Sequence, residues 1–411
     1  MKYWTKLTHT EQDRIITEAL TDNVDYKNDL SLGIPASMLD STVFYDQAPF
    51  LKESPLLRTY IQNPNHIGCH TLGDSEHYFR GTQRIEKELI ELICVDIFKA
   101  EDNSCDGYVA SGGTEANLQA IWMYRNLFIQ EYGASLNEIV ILSSVHTHYS
   151  IVKASNLLSI RSYSVATDQQ KVEITSETIE TAINKAKAEG AKYFIVIANM
   201  GTTMFGSVDN PNLYAEKLIA HSLPFKMHID GAFGGFIYPM SDQESTINFS
   251  NPHISSITLD AHKMLQAPYG TGIFIARKGL IEHVYTKEAT YVNGMDITLC
   301  GSRSGANAIA IWMIMRSYGW YGWLEKINKL IYRTDWCCTE LDRLKIKYYR
   351  DPKMNIIAIL APQIKPQIAN KYGLVPDTHS EAPNWYKIVV MDHVDIYLLK
   401  QFITELKQST S

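Results

Sequence analysis

No run of about 20 apolar residues occurs in the 411-residue chain, so no membrane-spanning helix is predicted. The first residues, Met1 to Glu11, are polar and hold no apolar signal core, which points to a cytoplasmic protein. Cysteine is scarce. The six residues, at 69, 94, 105, 300, 337 and 338, form no CxxC pair and no disulfide framework, and reduced thiols are expected. Charge of one sign is also in short supply. A formal net charge of −7 gives no global electrostatic reason to bind nucleic acid or an anionic membrane. Internal repeats, low-complexity linkers and charge blocks are missing. So are the Walker A and GxGxxG loops, which weakens any nucleotide reading. What remains is an ordinary globular composition, 45% hydrophobic and 20% charged. At about 150 residues per domain, the length suits two or three units.

The opening reads as a helix. Thr8 and Glu11 fit a capping box, and Ile15, Ile16 and Leu20 follow at helical spacing. Residues 25–60 are irregular and read as an arm laid over the body or over a partner subunit. From about residue 80 the pattern is regular. Apolar positions predict helices over 83–98, 114–132, 150–158, 176–189 and 211–221. Between them lie short apolar runs at 107–110, 138–142, 193–198, 226–230, 256–259 and 272–276. Alternation of this kind predicts an α/β fold, a mostly parallel central sheet covered by helices. Helices near 307–317, 323–345 and 394–407, with strands near 346–350, 355–360 and 386–391, predict a small C-terminal α+β domain. The expected divisions are an N-terminal helix and arm at 1–60, a large domain at 61–305 and a small domain at 306–411.

Polar residues stand just past the carboxyl ends of the predicted strands, the edge where ligands bind in open α/β sheets. Ser111-Gly-Gly-Thr114 joins a strand to a helix; its glycines admit an anion to a helix N-terminus, which suits a phosphate. Lys263 closes the strand ending Asp260-Ala-His262, where partial desolvation lowers an amine pKa and favours imine chemistry. Asp230, in His228-Ile-Asp-Gly-Ala-Phe-Gly-Gly235, puts a carboxylate at a strand tip beside small residues that leave room for a flat ring. Such a carboxylate keeps a pyridine nitrogen protonated. His148 offers a ring for stacking, and Thr203, in Asn199-Met-Gly-Thr-Thr203, a hydroxyl for a ring substituent. Each alone is an ordinary turn, core or surface residue. Together they describe a site for pyridoxal 5'-phosphate.

At these residues the chain resembles the group II pyridoxal-phosphate-dependent amino-acid decarboxylases of fold type I, and among them the archaeal tyrosine/aspartate decarboxylases. The likeness covers roughly residues 62–405. It rests on Ser111-Gly-Gly-Thr-Glu-Ala-Asn117, Thr147-His-Tyr-Ser150, Gly201-Thr-Thr203, His228–Phe236, Ser256–Met264, Gly301-Ser-Arg-Ser-Gly305 and Ile388–His393.

The resemblance implies that Lys263 holds the cofactor as an internal imine, that Asp230 pairs with the pyridinium and that His148 stacks on the ring. Gly112, Gly113 and Thr114 would hold the phosphate, helped by His262, and Thr203 and Ala232 would line the ring. It further implies a homodimer, with Tyr291 on a mobile loop offered across the interface to return a proton to Cα. Asp392, where the family usually has Pro, and Gly231, where it usually has Ala, depart from the pattern.

The expected reaction is decarboxylation of an L-amino acid, aromatic like tyrosine or acidic like aspartate or glutamate. An aldehyde-forming oxidative decarboxylase or a carbon–carbon lyase of the same fold is the alternative. Phe44, Tyr45 and Phe50 would suit an aromatic side chain. His66, His70, Arg80 and Arg303 would suit a carboxylate. No metal site is expected: His66, His70 and His77, or His146 and His148, match no standard ligand spacing.

Overall fold

The structure, a computed structural model, describes residues 3–23, 55–67, 77–168 and 172–410. Phe44, Tyr45, Phe50, Cys69 and His70 lie outside the described residues, as does the side chain of His66.

The N-terminal part holds α1 (His9–Thr21), α2 (Pro55–Gln62), β1 (Asn65–Ile67) and α3 (Arg80–Leu92). The body follows as β2 (Cys105–Ala110), α4 (Gly113–Tyr132), β3 (Ile139–Ser144), α5 (Ser150–Leu158), β4 (Arg161–Val165), α6 (Ser176–Ala188) and β5 (Tyr193–Asn199). It continues with α7 (Pro211–Ala220), β6 (Phe225–Gly231), α8 (Tyr238–Ser241), β7 (Ile254–Asp260), β8 (Gly272–Arg277) and β9 (Ser302–Ser304). The chain closes with α9 (Gly305–Arg343), β10 (Tyr348–Tyr349), β11 (Ile356–Leu360), α10 (Pro366–Lys371), β12 (Val375–Pro376), β13 (Trp385–Val389) and α11 (Ile396–Thr410).

Local chemistry sets several of these ends. Glu11 N–H donates to Thr8 Oγ1 at 3.2 Å and Thr8 N–H donates back to Glu11 Oε2 at 2.8 Å, the capping box that starts α1. Helix α4 stops at Gly133, whose φ of +63° suits a residue without a side chain. Within α9, Gly319 takes φ +61° and breaks the helix, which is why the sequence reads as two helices. A Cβ there would lie 2.7 Å from Lys6 N, because the segment before α1 crosses at that point. Tyr3 stacks on Trp320 at 4.1 Å and Trp4 Nε1 donates to Met315 O at 3.1 Å, pinning the crossing.

Among the described residues the largest sheet has seven strands in the order β2-β8-β7-β6-β5-β3-β4. Strands β4, β3, β5, β6 and β7 run parallel, and β8 is antiparallel to both its neighbours. Strands β3 and β7 are buried along their whole length, β3 as its apolar run predicts and β7 although Ser255, Ser256, Thr258 and Asp260 interrupt its apolar positions. Helices cover both faces. One core joins α3, α6, α7 and α9 to the sheet through Leu89, Ile179, Tyr214 and Trp312; the other joins α4 and α5 through Tyr124, Phe128 and Ile151. Strand β4 alternates exposed and buried residues, a pattern too short and polar to stand out in the sequence.

A second sheet, antiparallel in the order β10-β11-β13-β12, packs with α11 and the end of α9. Asp392 beyond β13 is held by Lys329 at 2.8 Å, so a charge pair fixes the loop where the family usually has proline. Among the described residues, no helix is long and apolar enough to cross a membrane.

Candidate active site

Because β2, β3, β5, β6 and β7 point the same way, their carboxyl ends share one edge. There β2 delivers Ser111 and Gly112 to the start of α4, β3 leads to His148, β6 ends near Asp230, and β7 leads to His262 and Lys263. Residues over 150 positions apart in the chain thus meet through register alone.

They surround a cavity of about 320 Å³. Gly112, Gly113, Thr114, His148, Ala232, His262 and Lys263, all expected from the sequence, line it. Lys263 Nζ lies 3.0 Å from Asp260 Oδ2, and His262 Nε2 lies 3.7 Å from the same oxygen. Asp230, only 6% exposed, stands one hydrogen bond behind the wall: Asn117 Nδ2 donates to its Oδ2 at 2.9 Å and Ala232 N–H to its Oδ1 at 3.2 Å. His148 Nδ1 accepts from Ser150 N–H at 3.2 Å, and Ser150 Oγ lies 2.9 Å from the same nitrogen. A backbone N–H can only donate, so neutral His148 carries its proton on Nε2. Burial, the largest influence, pulls the His148 pKa below the usual histidine range, with Lys263 adding to it and Asp230 opposing it.

The residues present fit a phosphate-bearing aldehyde. The N-terminus of α4 has no side-chain cap, leaving first-turn N–H groups for an anion. A Cβ on Gly113 would meet Asp260 Oδ2 at 2.9 Å and Ala232 Cβ at 3.1 Å, so only glycine allows this approach. Among the described residues, Asp260 Oδ1 and His262 Nδ1 are buried without a hydrogen-bond partner, polar atoms that a ligand would satisfy. The Lys263 amine lies on the same cavity wall.

Three expected residues, Thr203, Arg303 and Tyr291, stand elsewhere. Thr203 is exposed and absent from the wall; its carbonyl accepts from Lys387 Nζ at 2.9 Å, while neighbouring Thr202 turns inward to Ser207 at 2.7 Å. Arg303 is buried against Glu86, with Nη2 3.0 Å from Glu86 Oε2 and Nη1 3.1 Å from the Val109 carbonyl. Its guanidinium thus joins β9 to α3 and β2, and is no part of the cavity wall. Tyr291 is 87% exposed and also off the wall. His66 has its backbone on β1, paired with Arg303 on β9.

Sequence reasoning missed Asn117, Tyr149 and Asp260, all on the cavity wall. All three lay inside the quoted motifs, Asn117 four residues after Gly113, Tyr149 directly after His148 and Asp260 three before Lys263. Tyr149 lines the cavity and packs on His148 at 4.0 Å between ring centroids. Lys387 comes from β13, and no local pattern connects it with the site. Burial first, then the nearby Lys263 charge, lower its pKa.

A family model described as "Pyridoxal-dependent decarboxylase conserved domain" matches residues 84–343. The chain is 53% identical over 408 residues to a tryptophan decarboxylase of Clostridium sporogenes, covering 99% of this chain and 98% of that one. It is 28% identical over 349 residues to a probable L-tyrosine/L-aspartate decarboxylase of Methanosarcina barkeri, covering 81% and 85%. Among solved structures, an L-methionine decarboxylase from Streptomyces superposes with a TM-score of 0.71 at 18% identity, covering 97% of this chain and 93% of that one, a likeness of fold.

Proposed function

Given that this chain belongs to the pyridoxal-dependent decarboxylase family, and so decarboxylates an amino acid with pyridoxal 5'-phosphate, we propose that its substrate is an aromatic L-amino acid, tryptophan first. The observation that carries the choice is the 53% identity, over 99% of the chain, to a tryptophan decarboxylase; the archaeal relative named for tyrosine and aspartate stands at 28%. The aromatic face of Tyr149 on the cavity wall agrees with a flat substrate side chain.

We assign the cofactor to the cavity. First-turn N–H groups at Gly113 and Thr114 would hold its phosphate, with His262 beside them. Lys263 Nζ would carry it covalently, and Asp260, 3.0 Å away, keeps that amine directed into the site. Ala232 leaves room for its ring, and Asp230 would hold a proton at the ring nitrogen. When bound, the cofactor supplies an acceptor for the electron pair left as the Cα–carboxylate bond breaks.

His148 presents an Nε2–H donor, with its orientation set by Ser150. Its lowered pKa keeps it neutral at physiological pH, so it adds no positive charge that would stabilise the departing carboxylate. Tyr291 we assign as the acid that returns a proton to Cα. Its exposure in one chain is consistent with action on the site of a second copy in a homodimer.

The test is an amine-product assay over tryptophan, tyrosine, phenylalanine, histidine, aspartate and glutamate, with CO2 and ammonia measured together. Tryptophan is expected to give the highest kcat/KM, with one CO2 per amine and no ammonia. A preference for aspartate or glutamate overturns the proposal.

A further inference from the structure

Behind the cavity a line of buried hydrogen bonds runs from the core to the site. Tyr124 Oη meets Ser256 Oγ, Ser256 Oγ lies 2.6 Å from His228 Nδ1, and His228 Nε2 lies 3.0 Å from Asn117 Oδ1. Asn117 Nδ2 then reaches two groups at once, Asp230 Oδ2 at 2.9 Å and Ser150 Oγ at 3.0 Å. Tyr124, His228 and Ser256 are fully buried, and Asn117 is almost so. Asn117 reaches the cavity wall, whereas Tyr124, His228 and Ser256 carry no role in the site described above.

The direction of every bond follows from one end. An ionised Asp230 offers only acceptors, so the Asn117 atom facing it is the amide nitrogen. Asn117 Oδ1 therefore faces His228, whose Nε2 must donate. Neutral His228 then accepts at Nδ1, the Ser256 hydroxyl donates to it, and the Tyr124 hydroxyl donates to Ser256. Thr258 Oγ1, also 3.0 Å from His228 Nε2, shares that donor. Burial, partly opposed by Asp230, depresses the His228 pKa to about 4, so the imidazole stays neutral and the direction of the line is fixed. A flipped Asn117 amide would set its oxygen against the Asp230 carboxylate and leave the His228 N–H facing an NH2 group.

We infer that Asn117, oriented by His228, is a positioning residue that holds Asp230 and the His148–Ser150 pair in register for the cofactor ring. The inference rests on the assignment of Asp230 to the ring nitrogen made under Proposed function. A single amide spans both groups, one hydrogen on each. Neither Asp230 nor Ser150 can drift without breaking a buried bond, and a buried donor or acceptor left unmade is costly.

The test is binding to apo-protein by equilibrium dialysis. Pyridoxal 5'-phosphate is compared with its 1-deaza analogue, in which carbon replaces the ring nitrogen. Wild type is expected to prefer pyridoxal phosphate, and Asp230→Ala to erase the preference. Asn117→Ala should reduce the preference by about tenfold or more, the value of a hydrogen bond to a charged group. His228→Leu should do the same, whereas His228→Gln, which keeps a donor nitrogen near the Nε2 position, should retain most of the preference. If Asn117→Ala weakens both ligands equally, the residue only packs and the inference is overturned. If Asn117→Ala does not fold, the two His228 variants decide: equal preference in both overturns it. If Asp230→Ala keeps the wild-type preference, the assignment of Asp230 itself falls, and the inference with it.

Discussion

Asp260 closes β7 and Lys263 follows three residues later, and their 3.0 Å pairing leaves the amine at the cavity with a fixed direction. Lys263→Ala is expected to abolish covalent capture of the cofactor. Borohydride reduction followed by mass spectrometry should show the added mass on Lys263 in wild type and none in the variant; a wild-type mass on another lysine would contradict the assignment. Tyr291→Phe is expected to lower kcat by roughly 10²–10⁴-fold while KM moves little, the size of one lost proton-transfer partner. An unchanged kcat would return Tyr291 to the status of a surface aromatic. Away from the site, Asp209 is buried, and this lifts its carboxyl from the usual 3.8 to about 6 despite two bonds from Asn199. The folded chain then holds a proton that the unfolded chain has released. The stabilisation is full below about 3.8 and is lost as pH rises through 6. Asp209→Asn cannot titrate, so its Tm relative to wild type should climb between pH 4 and pH 7.5, by an amount equivalent to roughly 1–3 kcal/mol. A pH-independent difference would show that the shift belongs to another group.

Among the elements, the start of α9 depends on Arg303. The short strand β9 pairs with β1 on one side, and the Arg303 guanidinium reaches Glu86 of α3 and the Val109 carbonyl of β2. Glu86 also accepts from Val109 N–H at 2.8 Å, so one buried ion pair joins three elements. Arg303→Met is expected to cost about 3–5 kcal/mol, since it strands a buried carboxylate, and the double change with Glu86→Gln should recover part of the loss. Thermal melts measure both. A full-stability Arg303→Met protein with raised KM would instead restore the substrate role expected from the sequence. Apolar periodicity made most elements legible, from Ile179, Ala182 and Ile183 on α6 to the continuous run of β5. It did not show β8 turned against its neighbours, because an apolar run carries no direction. Nor did it show the π-helical turn at Ile93–Ile97 that ends α3, since the same apolar residues satisfy either helix.

In the whole molecule, the proposed homodimer has a mass of twice 46.6 kDa, which light scattering checks directly. If Tyr291 serves the other copy, mixing inactive Lys263→Ala and Tyr291→Phe chains and allowing exchange should restore up to about a quarter of wild-type activity, because half the dimers are mixed and each has one intact site. No recovery after proven exchange would place Tyr291 on its own site or on none. What the sequence by itself determined is the set of reactive side chains at strand ends. The turn Ser111-Gly-Gly-Thr114, the pair His262 and Lys263, and the acid Asp230 each announce themselves through local backbone needs: a glycine approach, a helix start, a strand tip. Only the tertiary structure decided which of those side chains share a cavity. Thr203 and Thr202 are adjacent in sequence, but the turn sends one outward and the other inward. Arg303 reads as free to meet a substrate until α3 brings Glu86 to it. Asn117 lies over 100 residues from His228 and Asp230 and meets them because α4 packs against β6. Spacing along the chain encodes what a residue can do, whereas its partners are set by long-range packing, which no local pattern records.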